Sequence, residues 1–209
     1  MGRRVGSSWA VRAKAVICGI ATVWSVVAAS SASAQVISRP VASDAGDNRP
    51  FAIVDKRHAT LSVYAADGSL VGRAPVLLGL TPGDQEPQSA RGKQPAALKV
   101  NERVTPAGRF EAQPGRNLNG ERIVWFDYEA NLAIHRLRPA PASQRRPERL
   151  ASANLPDRRI TLGCVVVDPA FFDQVVLPTL GAGKSLVYIL PEREPIVAAA
   201  VGGTHAAAP

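Results

Sequence analysis

The stretch DRRITLGCVVVDPAFF, residues 157–172, holds Cys164, the only cysteine beyond the first twenty residues of this 209-residue chain. Apolar residues crowd it on both sides, so three readings compete: a small buried hydrophobe, half of a disulfide, or a nucleophile. A thiol of pKa about 8.5 is only a few per cent ionised at neutral pH, so a nucleophilic cysteine needs a base or a local positive field. Three histidines are available. His205 lies near the C-terminus, and His58 stands beside Lys56 and Arg57 as a solvated residue. His135 sits inside NLAIHRL, on the strand face opposite Leu132 and Ile134, and is the one plausible base. Gly163 precedes the cysteine, where a missing side chain lets a carbonyl substrate approach. The N–H groups of Gly163 and Cys164 are candidate donors to the oxyanion of acyl transfer. Asp168 and Pro169 suit a helix N-cap and first helical position. That places a helix N-terminus just beyond Cys164, with a field expected to favour the thiolate. One cysteine and one useful histidine are too few ligands, without paired spacing, for a metal site.

The elements that must position this pair read mostly as strands. FAIVD (51–55) and ATLSVYA (59–65) are β-rich, and Asp67-Gly68 signals a hairpin that SLVGRAPVLLG (69–79) completes. Residues 80–108 are rich in Pro, Gly and Gln, and a connection of that length is expected to be functional, as in a lid. RFEA (109–112), RIVWFDY (122–128) and NLAIHRLR (131–138) follow as strands, the last two joined by a tight turn at Glu129-Ala130. A polar stretch, 139–159, is expected to hold one short helix around RPERLASA. Beyond Asp168 the apolar period becomes helical through AFFDQVVLPTL, Gly181 stops it, and SLVYIL (185–190) is a final buried strand. Many short strands with one strong helix after the cysteine predict a mainly β domain. GAGKS (181–185) contains Gly-Lys-Ser, but Pro178 stands where a phosphate-binding loop needs glycine. The order is also helix–loop–strand, so this is a helix stop and no nucleotide site.

The ends of the chain carry a different message. Residues 1–34 hold Arg3, Arg4, Arg12 and Lys14 with no acid, then an apolar run, then Ala32-Ser33-Ala34. This is the three-part pattern of a secretory signal peptide cleaved before Gln35, and the apolar run is shorter than the roughly 20 residues of a membrane span. Residues 35–49 read as a linker, 50–191 as one domain, and 192–209 as a mobile tail. The whole chain carries a net charge of +8. The four N-terminal cations account for half of it. A modest positive balance suits an anionic wall polymer or membrane surface, and no dense basic run alternates with aromatics as nucleic-acid binding requires. An exported chain left with one cysteine makes no internal disulfide.

TPAGRF (105–110), AIH (133–135) and ITLGCVVV (160–167), followed by a helix and a closing strand, resemble the L,D-transpeptidase catalytic domain of bacterial cell walls. The resemblance runs over residues 50–191. It implies a β-sandwich or barrel-like domain with the cysteine in an open groove. It also implies an acyl-enzyme formed with a peptidoglycan tetrapeptide stem, whose acyl group passes to the amine of a second stem. Residue by residue, Cys164 matches the nucleophile, His135 the base, and Thr161 and Gly163 the Ser/Thr and glycine of the nucleophile motif. Leu162 stands where the family has His, and Val166 where it has Arg or Asn, with Arg158 or Arg159 as candidate replacements for the missing cation. The implied protein is an exported, monomeric, cofactor-free enzyme of the periplasm or wall. Hydrolysis of the same stems by a carboxypeptidase or amidase is one alternative, and an inactive wall-binding module is another.

Overall fold

The computed structural model describes residues 48–192, so the expected signal peptide and most of the expected linker and tail lie outside the described residues. Ten strands are described: β1 (Phe51–Asp55), β2 (Thr60–Tyr64), β3 (Leu70–Pro75), β4 (Leu78–Gly79), β5 (Gly108–Arg116), β6 (Arg122–Asp127), β7 (Leu132–Arg136), β8 (Arg159–Thr161), β9 (Val165–Val167) and β10 (Ser185–Leu190). Eight form one sheet in the order β3-β2-β1-β10-β5-β6-β7-β9, and β4 pairs with β8 separately. The expected mainly β domain is what the chain forms.

Just after β3, Leu77 exchanges both backbone hydrogen bonds with Val166 of β9, at 2.8 and 3.0 Å. This bridge brings the two ends of the sheet together into a nearly closed barrel, which leaves few unpaired edges. Alternation along each strand sends Val54, Leu61, Phe110, Val124, Ile134, Val165 and Val187 to one side, where they pack with Phe172, Val176 and Leu180 of the C-terminal helical segment.

That segment runs as α2 (Pro169–Phe171), a π-helical turn (Phe172–Val176), α3 (Leu177–Thr179) and a 3₁₀ turn (Leu180–Ala182). Asp168 caps it as expected, its carboxylate accepting from the N–H groups of Ala170 and Phe171. Pro178 has no N–H, and its ring crowds the carbonyl four residues earlier, which accounts for the widened turn before it. Gly181 falls in the closing 3₁₀ turn and Ser185 opens β10, so GAGKS follows a helix and leads into a strand.

The long 80–108 connection is not a free flap. It folds into three 3₁₀ turns, and a half-buried Lys93–Glu102 ion pair at 2.6 Å pins it. The helix expected around RPERLASA is α1 (Arg146–Ala151). Its Leu150 is buried with Leu77 and Val166, and Leu137, Ile160 and Cys164 pack against this cluster on the sheet face opposite the main core. The covering element near the cysteine is therefore the 139–158 segment.

Candidate active site

β7 and β9 run parallel, with His135 opposite Val166 and Ile134 opposite Val165. Cys164 immediately precedes β9, so it shares a face with Val166 and hence with His135. Its Sγ lies 3.6 Å from the Asn131 carbonyl at the start of β7. The Ala133 N–H also faces the sulfur. Ala133 and His135 are two residues apart on one strand, about 7 Å, so the imidazole and the thiol are diagonal neighbours across the pair. Cys164 and His135, separated by 28 residues of sequence, thus lie on one face of adjacent strands.

The tautomer of His135 follows from its partner. Nδ1 lies 2.8 Å from the carbonyl oxygen of Arg136. A carbonyl only accepts, so Nδ1 carries the proton and Nε2 holds the lone pair. The ring is buried, with 8% of the residue exposed. Desolvation, reinforced by the positive charge of Arg138, lowers its pKa to about 4. The imidazole is therefore neutral at pH 7, in the form that can accept a proton.

The thiol goes the other way. Burial pushes the Cys164 pKa up, opposed by the Ala133 N–H and the Arg138 charge. This corrects the expectation that a helix N-terminus would favour the thiolate. The three residues of β9 stand between Cys164 and the helix, about 10 Å of extended chain. The Asp168 carboxylate already takes the first free helix N–H groups. The ground-state pair is thus neutral thiol and neutral imidazole.

The loop carrying the nucleophile is braced from two sides. Thr161, almost fully buried, donates its hydroxyl to the Cys164 carbonyl at 2.7 Å and accepts from the Gly163 N–H at 3.2 Å. The Gly163 N–H is therefore engaged, which corrects its expected oxyanion role and leaves Cys164 N–H as the donor of that pair to consider. Gly163 itself is dictated by space and backbone. Its φ is +132°, and a Cβ there would stand 2.7 Å from both Leu132 and the Val104 carbonyl. From the other side, fully buried Thr105 donates to the Gly163 carbonyl and accepts from the Gly79 N–H, each at 2.8 Å. In the sequence Thr105 is only the first residue of TPAGRF; a threonine beside the proline of a loop gives no signal that its hydroxyl bridges two distant segments.

The cations fall differently from expectation. Arg158 donates to the carbonyls of Ala59 and Ser152. Arg159 donates to the Lys56 carbonyl and to the Glu192 carboxylate. Both fasten the β1–β2 turn, Arg158 to the segment after α1 and Arg159 to the residues following β10, and neither replaces a cation at Val166. Val166 packs with Leu77 and Leu150, which fits its apolar side chain. The charge beside the pair comes from Arg138, held 2.8 Å from Glu121, and from Arg146, whose pKa Arg138 also lowers. Both come from the Arg-rich segment between His135 and Cys164, whose sequence gives no spacing rule to single them out. Among the described residues no group of three or more His, Cys, Asp or Glu could hold a metal ion.

No protein-family model and no curated protein matches the chain. Similar solved structures include an L,D-transpeptidase from Mycobacterium smegmatis, 14% identical over 68% of this chain and 58% of that one, with a TM-score of 0.38. The helical cell shape determining protein Pgp2 from Campylobacter jejuni is 15% identical over 77% of this chain and 56% of its own, with a TM-score of 0.45. The catalytic domain of the E. faecium L,D-transpeptidase is 16% identical over 68% of this chain and 98% of its own, with a TM-score of 0.38. This chain thus spans less than two thirds of the mycobacterial and Campylobacter chains.

Proposed function

We propose that the protein is an exported cysteine acyl-transferase acting on peptidoglycan stem peptides, forming 3-3 type or related crosslinks through a Cys164 thioester. The observation that carries this reading is the Nδ1 hydrogen bond of His135 to the Arg136 carbonyl, which leaves Nε2 unprotonated on a residue that shares the strand face of Cys164. The thiol attacks the carbonyl of the third stem residue while Nε2 takes its proton. The tetrahedral oxyanion meets the Cys164 N–H. The terminal D-residue leaves with the proton returned by the imidazolium, and a second stem's amine resolves the thioester. Because both groups start neutral, the proton moves during attack and no preformed ion pair is required. Arg138 and Arg146 supply a positive field suited to stem carboxylates and to the developing oxyanion.

Export rests on the pattern of residues 1–34. Among the described residues no helix is long and apolar enough to cross a membrane. Water in place of the acceptor amine would give a carboxypeptidase. The packing of Cys164 against Leu77, Leu150 and Val166 favours a second reading, a binding module with an inert thiol. Mass spectrometry of the protein incubated with a disaccharide-tetrapeptide tests all three. Crosslinked dimer and a Cys164 acyl adduct are expected. Free tripeptide would make it a hydrolase, and no adduct would leave the inert module.

A further inference from the structure

Trp125 is the partner of Ala133 in the β6–β7 register. Ala133 in turn stands beside Cys164, so Trp125, Ala133 and the nucleophile hold one row across three strands of the same face, with the indole leaning over Gly115 of β5. The indole occupies space that only a glycine could leave: a Cβ on Gly115 would stand 2.5 Å from the ring. A β-bulge between Trp125 and Asp127 bends β6 there. Tyr128 in the following turn, 70% exposed, meets the indole edge to face at 5.2 Å and 74°. The result is an aromatic corner, open to solvent, on the row that carries the thiol.

We infer that this Trp125–Tyr128 corner is a carbohydrate subsite that stacks a pyranose ring of the glycan to which the donor stem is attached. The inference rests on the stem-peptide reading above. Two steps between strands separate Trp125 from Cys164, about 10 Å. Acylation at the third stem residue leaves three residues between the thioester and the sugar, which extended chain spans in about 10 Å. The reach of the stem and the spacing of the row agree. An aromatic face offers a pyranose a flat apolar surface for its C–H groups, and aromatic contacts of this kind contribute measurably beyond the area they bury. The turn from Tyr128 to Asn131 joins the corner to the Asn131 carbonyl that receives the thiol, so one short turn links the corner to the nucleophile.

The test uses the full chain carrying Cys164→Ala, which binds without turnover. Two ligands are compared by calorimetry: the disaccharide-tetrapeptide and the same tetrapeptide without sugar. The sugar-bearing ligand should bind about tenfold more tightly. Trp125→Ala should abolish that preference while leaving the affinity for the bare tetrapeptide unchanged. Tyr128→Ala, at an exposed position where the fold is safe, should reduce it at least about threefold. Indole emission should change with the disaccharide ligand in the full chain and not in a Trp125→Phe variant. Equal affinities for the two ligands, absence of binding by either, or a preference that survives both alanine variants would overturn the subsite. A chain that acylates Cys164 yet shows equal affinities keeps the proposed function and loses the subsite. A chain that prefers the sugar-bearing ligand but never acylates loses the function and keeps the subsite.

Discussion

Two regions of this domain bury ionisable side chains, and they settle the cost of burial in opposite ways. At the end of β1, Lys56 is fully enclosed. Its Nζ donates to the Gly83 carbonyl at 2.6 Å, to Asp84 at 2.7 Å and to the Thr105 carbonyl at 3.0 Å, with Glu192 at 3.6 Å. Glu192 in turn holds Arg159 and the Gly83 N–H. Burial lowers the Lys56 pKa, and the two carboxylates oppose that shift. The region keeps its charges because each has partners. At Cys164 and His135 desolvation dominates: the thiol has the Asn131 carbonyl and the Ala133 N–H, the imidazole has the Arg136 carbonyl, Arg138 disfavours a charged imidazole, and both groups are driven to their neutral forms. Burial alone neutralises, whereas burial with partners preserves charge. Thr105 belongs to both regions. Its carbonyl receives Lys56, and its hydroxyl fixes the loop of the nucleophile. The charged region is thereby a support for the neutral one. Glu192, where the expected tail begins, is part of that support.

The largest effect that tests this contrast is loss of the base. His135→Ala should slow acylation of Cys164 by about 10²–10⁴. The defect should shrink as pH rises toward the ionisation of the thiol, since hydroxide then removes the proton. His58→Ala is the control: that residue is exposed and paired with Asp55 at 2.7 Å. Normal acylation in folded His135→Ala would break the pairing of the two residues.

Lys56→Met should destabilise the fold by about 3–5 kcal/mol in denaturant titration, because it leaves Asp84 and Glu192 buried without their cation. A loss of under about 1 kcal/mol would show that Lys56 adds nothing to the support. A further effect comes from pH. His135 has its folded-state pKa lowered from 6.5 to about 4, so between those values the unfolded chain binds the proton and the folded chain does not. Stability therefore rises with pH across this window and is lost as pH falls from about 6.5 toward 4, by about 3–4 kcal/mol in all. Urea midpoints for the parent and a folded His135→Gln variant check this: the acid sensitivity attributable to this residue should vanish in the variant. If it persists undiminished, the imidazole is not the desolvated group described here. The smallest effect concerns the thiol. Iodoacetamide should alkylate Cys164 in the folded protein more slowly than a free thiol at pH 7, because burial holds it protonated. Faster alkylation would mean that the pair is already ionised.

Much of this was legible in the residues themselves. β-rich and apolar runs marked β1, β2, β6, β7 and β10 nearly to the residue, and Asp168-Pro169 announced the helix because capping is local chemistry. Cys164 and His135 could be chosen by elimination, since few other side chains had the type to compete. The remainder depends on contacts that local sequence does not encode. β8 and β9 are three residues each, too short for a period to register, and only pairing with β4, β7 and Leu77 makes them strands. The thiol is driven toward its neutral form because burial outweighs the favourable Arg138 charge, and because adjacency in sequence, Cys164 to Asp168, is not adjacency in space once an extended strand intervenes. Arg158 and Arg159 were nearer the cysteine in sequence than Arg138 and Arg146, yet the fold turned Arg158 to the Ala59 and Ser152 carbonyls and Arg159 to Lys56 and Glu192, and brought the second pair to the site. The sequence by itself determined which chemical groups this protein owns and the period of its longer elements. Tertiary structure decided which of those groups are desolvated, which are paired and which face one another, because pKa and reach depend on everything within a few ångströms, whatever its place along the chain.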